Sequence, residues 1–228
     1  MSERMFRDRT DAGRRLAAEL VRFRGEDPVV LALPRGGVPV ALEIAQALGA
    51  PMDLVMVRKI GAPMQPELAV GAVVDGSRPE TVVNPEVVDA LGIPDSYIER
   101  EAARQLAEIE RRRELYLAGR ERIDVAGRTA IVVDDGIATG ATIEAALRAT
   151  RRANPKRLVL AAPVAPPDTV ERLRPEVDEI VCLATPPYFG AISVYYADFR
   201  QLSDGDVIDL LRRAPCKPAQ EPDTAAPS

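Results

Sequence analysis

Five short stretches of this chain are predominantly apolar, and they alternate with segments patterned as helices. They are "PVVLAL" (Pro28–Leu33), "MDLVMV" (Met52–Val57), the run before the two acids of "RTAIVVDD", "RLVLAAPV" and "EIVCLA". A strand with one face in water would alternate apolar and polar residues. Strands apolar on both faces must be covered on both, and that is the condition of a parallel sheet between two layers of helix. The intervening segments supply the layers. A helix is expected over Thr10 to Arg24 with Leu16, Leu20 and Phe23 on one face, and "VPVALEIAQALG" reads as a second helix closed by Gly49. Others are expected from about Ala141 to Arg152 and over "PDTVERLR". The fold class implied is α/β, with a five-stranded parallel, doubly wound sheet.

Two stretches interrupt the alternation. Between Gly61 and Gly127, "ELAVGAVVDG" and "TVVNP" read as short antiparallel strands. A long charged helix follows them, with Ile98, Ala102, Leu106, Ile109, Arg113 and Tyr116 at helical spacing. We expect this to be a lobe inserted at about 61–127 into a single domain spanning 1–213. The tail 214–228, "APCKPAQEPDTAAPS", is rich in proline and alanine and is expected to be disordered.

Composition narrows the chemistry. The chain has 228 residues, no histidine and a net charge of −5. Without histidine, Ser-His-Asp and Cys-His catalysis are excluded and a transition-metal site is disfavoured. The acidic balance gives no field for nucleic acid. No apolar run reaches membrane-spanning length, and "MSERMFRDRT" lacks a signal-peptide core. With two cysteines, the expected location is a reducing cytoplasm.

The segment "VVDDGIATGAT" (Val132–Thr142) carries the sharpest chemical signal. Asp134 and Asp135 end an apolar strand, so they lie at the carboxyl edge of the sheet, where ligands of open α/β sheets gather. Adjacent carboxylates repel, and a ligand offering hydroxyls, a metal ion, or both would reconcile them. The following loop leads into a helix N-terminus that favours an anion, with Gly136 and Gly140 permitting tight curvature and Thr139 and Thr142 adding hydroxyls. Carboxylates beside a phosphate nest suit the two halves of a ribose 5-phosphate.

These residues resemble the ribose-phosphate motif of the type I phosphoribosyltransferases: four apolar residues, two acids, then a Thr-Gly-x-Thr loop. The resemblance covers about Asp27 to Asp204. It implies that "LPRGG" (Leu33–Gly37) is a pyrophosphate loop, with the N–H groups of Arg35, Gly36 and Gly37 facing the leaving group and a cis Pro34–Arg35 bond. It implies that Arg58 and Lys59, read as ending the second strand, stand at the same rim. It further implies a substrate loop of Gly136, Ala138, Thr139, Gly140, Ala141 and Thr142.

The activity implied is displacement of pyrophosphate from 5-phosphoribosyl-1-pyrophosphate by a nucleobase or base-like nitrogen acceptor. Mg2+ is the implied cofactor, with Asp134 and Asp135 as catalytic acids and metal ligands. Arg35 and Lys59 would add charge opposite the leaving group. Asp198 resembles the late aspartate near a second Mg2+, and Phe189 in "PPYF" resembles the aromatic that stacks on a base. The segment Gly61 to Gln65 would serve as a lid. Ala138 replaces the acid of the hypoxanthine and guanine enzymes, and "APVAPP" offers no lysine after the fourth strand, so a 6-oxopurine is disfavoured. The alternative is a sensor of the same ligands without catalysis. Partners are otherwise small molecules, with a homodimer left open.

Overall fold

The computed structural model describes residues 5–75 and 79–215. Residues 216–228, most of the tail expected to be disordered, lie outside the described part. The core sheet contains β1 (Pro28–Ala32), β2 (Met52–Leu54), β6 (Thr129–Val133), β7 (Arg157–Val164) and β8 (Glu179–Ala184). Its order is β2-β1-β6-β7-β8, and every neighbouring pair is parallel.

Side chains along a strand alternate between faces, and that alternation sorts the core into two layers. Val30, Ala32, Ile131 and Val133 pack with Leu16 and Leu20 of α1 (Arg9–Leu20) and with Val40 and Ile44 of α2 (Gly37–Leu48). Val29, Leu31, Ala130 and Val132 turn the other way. They meet Ile143 and Leu147 of α5 (Ala141–Arg152) and Val170 of α6 (Pro167–Leu173). Each fully buried aliphatic side chain of this kind contributes about 1.5–3 kcal/mol by leaving water, so both helix layers are needed. The doubly wound arrangement expected from the five apolar runs is the one observed.

One run is shorter than expected. Of "MDLVMV", only Met52–Leu54 belongs to the parallel sheet. Val55 N–H still reaches Ala32 C=O at 3.0 Å, but Met56 exchanges bonds with Asp75 instead, its C=O accepting from Asp75 N–H at 3.0 Å. From there the chain enters a second sheet. It is antiparallel, ordered β3-β4-β5, from Val57–Ala62, Gln65–Val74 and Glu80–Val83. The lobe therefore begins at Val57 and not at Gly61. Arg58 and Lys59 belong to β3, which corrects their placement at the end of the second core strand. An all-apolar run carries no mark of where the chain changes sheets.

The lobe continues through α3 (Pro85–Leu91) and α4 (Asp95–Leu117). The long charged helix buries Ile98, Gln105, Ile109, Arg113, Tyr116 and Leu117, close to the face expected from spacing. Arg113 is on that face because it is an anchor. Its guanidinium grips both oxygens of Asp53 at 2.7 and 2.9 Å and reaches Asp75 at 3.1 Å. Arg122 also meets Asp75, at 3.1 Å. This buried network fastens the lobe to the end of β2. Finally, α7 (Asp204–Arg212) starts in a capping box between Ser203 and Asp206 and packs against α2 and α4.

Candidate active site

Strand order places a topological switch point between β1 and β6, since the chain winds to β2 from one and to β7 and β8 from the other. Such a point opens a crevice at the carboxyl ends of the strands. The loop after β1 is Leu33–Gly36 and the loop after β6 is Asp134–Gly140, so both motif loops occupy this crevice.

The two loops touch. A Cβ on Gly36 would stand 2.2 Å from Asp135 Oδ2, and one on Gly37 would stand 2.6 Å from the Val133 carbonyl. Neither position tolerates a side chain, so the glycines serve close approach of one loop to the other. Leu33 N–H donates to Val133 C=O at 2.9 Å and completes the seam. The Pro34–Arg35 bond is cis, as the resemblance implies. Arg35 lies 3.7 Å from Asp204 Oδ1, which also accepts from Tyr116 Oη at 2.6 Å.

Asp135 is buried, and Asp134 is partly exposed in the crevice. Burial pushes the carboxyl of Asp134 well above the usual carboxylate range, and the charge of Asp135 adds to this. Burial also raises Asp135, against the opposing pull of Arg9. Burial thus holds the pair toward its protonated form, and Arg9 is the guanidinium that favours ionisation. Asp134 Oδ1 accepts from Asp135 N–H at 2.9 Å, and the Asp135 carbonyl accepts from Tyr196 Oη at 2.5 Å.

The phosphate-type loop is braced from behind. Gly140 has a φ of 75°, in the left-handed region that favours glycine, and immediately precedes α5. The Ala138 carbonyl accepts from Thr169 Oγ1 at 3.0 Å, and Arg172 of α6 donates to the Thr139 carbonyl and to Glu144. With its carbonyls turned toward α6, the loop leaves Ala138, Thr139, Ala141 and Thr142 exposed at the start of α5. A cleft of about 460 Å³ lies beside it, lined by Ala141, Thr142, Lys59 and apolar residues of β4 and β5.

Adjacent residues of a strand face opposite ways, and Arg58 and Lys59 are separated accordingly. Lys59 borders the cleft at the start of α5, whereas Arg58 Nε donates to Gln105 Oε1 of α4 at 2.7 Å. Both also line a second cleft of about 470 Å³, with Tyr97, Glu101 and Gln105. Phe189 stacks on Tyr195, with ring centroids 5.4 Å apart, beside a small cluster of Phe6, Val164 and Tyr196. Asp198 is exposed and accepts from Arg200 N–H at 3.1 Å. The expected lid, Gly61–Gln65, forms the tip of the β3–β4 hairpin, with Met64 91% exposed.

One site residue escaped the sequence altogether. Arg9 Nε donates to Asp135 Oδ2 at 2.6 Å across 126 positions of chain. Nothing in "MFRDRT" distinguishes this residue among 30 basic ones.

As to metals, no cluster of three or more His, Cys, Asp or Glu able to hold an ion exists among the described residues. The donors at the crevice are two carboxylates. That set fits Mg2+, which commonly binds one or two protein carboxylates and completes its shell with water and substrate oxygens. No helix among the described residues is long and apolar enough to cross a membrane.

Comparison with known proteins agrees with this geometry. A model of the phosphoribosyl transferase domain matches residues 6–200. A Mycobacterium tuberculosis protein named "Putative phosphoribosyl transferase Rv0571c" is 48% identical over 212 residues, 92% of this chain and 47% of the relative. The chain thus spans about half the length of the curated relatives it matches. The crystal structure of TT1426 from Thermus thermophilus is 46% identical, with a TM-score of 0.79, covering 92% of this chain and 98% of that one. This chain belongs to the phosphoribosyl transferase family.

Proposed function

We propose that this chain is a Mg2+-dependent phosphoribosyltransferase that displaces pyrophosphate from 5-phosphoribosyl-1-pyrophosphate with a nucleobase or base-like nitrogen acceptor. The observation that carries this is the seam at Gly36 and Gly37, where the pyrophosphate-type loop packs against the two acids of the ribose-phosphate loop. A ligand with phosphate at one end, ribose in the middle and pyrophosphate at the other matches that arrangement.

The residues divide the work. N–H groups at the start of α5, with Thr139 and Thr142, would hold the 5-phosphate. Asp134 and Asp135 would lie beneath the ribose and stabilise the positive charge that develops as the bond to pyrophosphate breaks. Arg35 and the N–H groups of Gly36 and Gly37 would face the leaving group, and Lys59 would approach from the lobe. Donors aimed at charge that develops only in the transition state are an effective form of catalysis. Asp134 and Asp135 would hold Mg2+, which would supply positive charge to neutralise the leaving group. The β3–β4 hairpin tip would close over the ligand and exclude water, which protects a cationic intermediate.

The acceptor class follows from what the loops lack. Ala138 gives no carboxylate and the segment after β7 gives no lysine, so 6-oxopurines are disfavoured. The test is pyrophosphate release from 5-phosphoribosyl-1-pyrophosphate and Mg2+ across a panel of nucleobases and aromatic nitrogen acceptors. Acceptor-dependent release is expected. Binding of the sugar phosphate with no release from any acceptor would point to a sensor.

A further inference from the structure

Arg9 opens α1, yet its side chain ends at the acid between the two motif loops. Nε donates to Asp135 Oδ2 at 2.6 Å, Nη1 donates to the Arg200 carbonyl at 2.9 Å, and Cζ lies 3.8 Å from the Phe199 ring centroid. Each side chain of the ion pair is only 11% exposed. A guanidinium is a planar fork, so contacts on two edges and one face fix its plane as well as its position.

Asp135 is held from the other side too. The space a methyl on Gly36 would take is 2.2 Å from Oδ2, so the carboxylate lies between loop backbone and guanidinium. Its backbone is pinned by Tyr196 Oη. The segment that carries Arg9 is anchored in turn. Phe6 N–H reaches Tyr195 C=O at 2.9 Å, Ala197 N–H reaches Phe6 C=O at 2.8 Å, and Asp198 N–H reaches Arg7 C=O at 2.8 Å. Residues 6–9 and 195–200 thus form one clasp beside the crevice, and Arg9 is its contact with the acids.

We infer that Arg9 is a positioning residue for phosphoribosyl transfer, holding the Asp135 carboxylate beneath the ribose before ligand arrives. The inference rests on the function proposed above. It divides the acids: the Asp135 carboxylate is set by Arg9, while Asp134 Oδ1 accepts from the Asp135 N–H. An ion pair that only stabilised the fold would affect all ligands alike. A positioning pair matters most when positive charge develops on the sugar, so its loss weakens transition-state binding more than ground-state binding.

The experiment compares two probes that need no acceptor. One is 5-phosphoribosyl-1-pyrophosphate with Mg2+. The other is a cationic imino-ribitol 5-phosphate with pyrophosphate and Mg2+, which mimics the charged sugar. Calorimetric affinities for both are measured on wild type, Arg9→Met and Arg9→Lys, with thermal melting of each. Small displacements of an acting group can cost on the order of 100-fold. Arg9→Met is therefore expected to lose roughly 10- to 100-fold for the cationic mimic and less than about threefold for the substrate. Arg9→Lys keeps the charge without the fork and is expected to fall between, which maintains the test should Arg9→Met not fold. Equal losses for both probes, or none, would overturn the role of Arg9. Wild type binding neither probe would overturn the proposed function itself, and the inference with it.

Discussion

Asp53 and Asp75 are as deeply buried as Asp135, and each is met by arginine. Arg113 grips both oxygens of Asp53 and reaches Asp75, Arg122 reaches Asp75 as well, and the N–H groups of Ile123 and Met56 complete the shell. Two carboxylates face two guanidinium groups. At the crevice, Asp134 and Asp135 share one, Arg9. The first pair is met by the protein's own charges, at a small cavity of about 30 Å³. The second is left with one guanidinium for two carboxylates at the switch point of the sheet, where Gly36 and Gly37 bring the two loops together. The contrast teaches that burial of acids does not mark a site here; incomplete compensation does.

The largest effect separates the two pairs by activity. Asp134→Asn with Asp135→Asn should lower turnover by at least about 1000-fold, as loss of one electrostatic stabiliser alone costs roughly 100- to 1000-fold. Melting should fall less than on loss of Arg113, because relief of burial and mutual repulsion offsets part of the cost of leaving Arg9 without its carboxylate. Pyrophosphate release and a thermal melt on the same preparation check both halves. A large drop in melting temperature would make the crevice pair another structural latch.

The converse variant acts on stability. Arg113→Met leaves the buried Asp53 without its guanidinium, and breaking such a pair costs about 3–5 kcal/mol. Urea unfolding should show this loss, while the variant that remains folded keeps its rate. Comparable losses from Asp134→Asn would erase the distinction.

Arg58 and Lys59 repeat the comparison within one strand. Lys59→Ala should raise the KM for 5-phosphoribosyl-1-pyrophosphate roughly tenfold, in line with about 1.5 kcal/mol for a hydrogen bond to a charged group. Arg58→Ala should leave that KM nearly unchanged and cost about 1 kcal/mol of stability through Gln105. Equal effects on KM would restore them as a pair.

Asp204 is a smaller, intermediate case, paired with half-buried Arg35 and with Tyr116. Burial, then the bond to Asp204, pushes the Tyr116 phenol from 10.0 up to about 12. The folded state keeps this proton longer than the unfolded chain, so its contribution is full below pH 10 and is lost as pH rises from about 10 to about 12. Tyr116→Phe should flatten part of the stability loss in that window, read by urea midpoints across pH. An unchanged slope would place the tyrosine outside the linkage.

Much of this architecture was legible because it is periodic. Five apolar runs dictate a sheet covered on both faces, and the spacing of Ile98, Ile109, Arg113 and Tyr116 dictates the buried side of α4. Less legible was the point where the chain leaves β2, since Val55 and Met56 are apolar in either sheet and the change is made by backbone bonds to Asp75. Within the expected lid, Gly61–Gln65, only Pro63 and Met64 form the turn of a hairpin whose strands flank them. At the site, the acids and glycines announce themselves locally. Arg9 does not, because its meaning lies in a contact 126 residues away.

The central claim, that the crevice acids are left incomplete for a metal-bound sugar phosphate, has a direct measurement. It is calorimetric titration of 5-phosphoribosyl-1-pyrophosphate into the protein with Mg2+ and with EDTA, repeated on Asp134→Asn with Asp135→Asn. Binding to wild type that needs Mg2+ and is lost in the double variant is the predicted result. Equal affinity in EDTA, or in the variant, would contradict it.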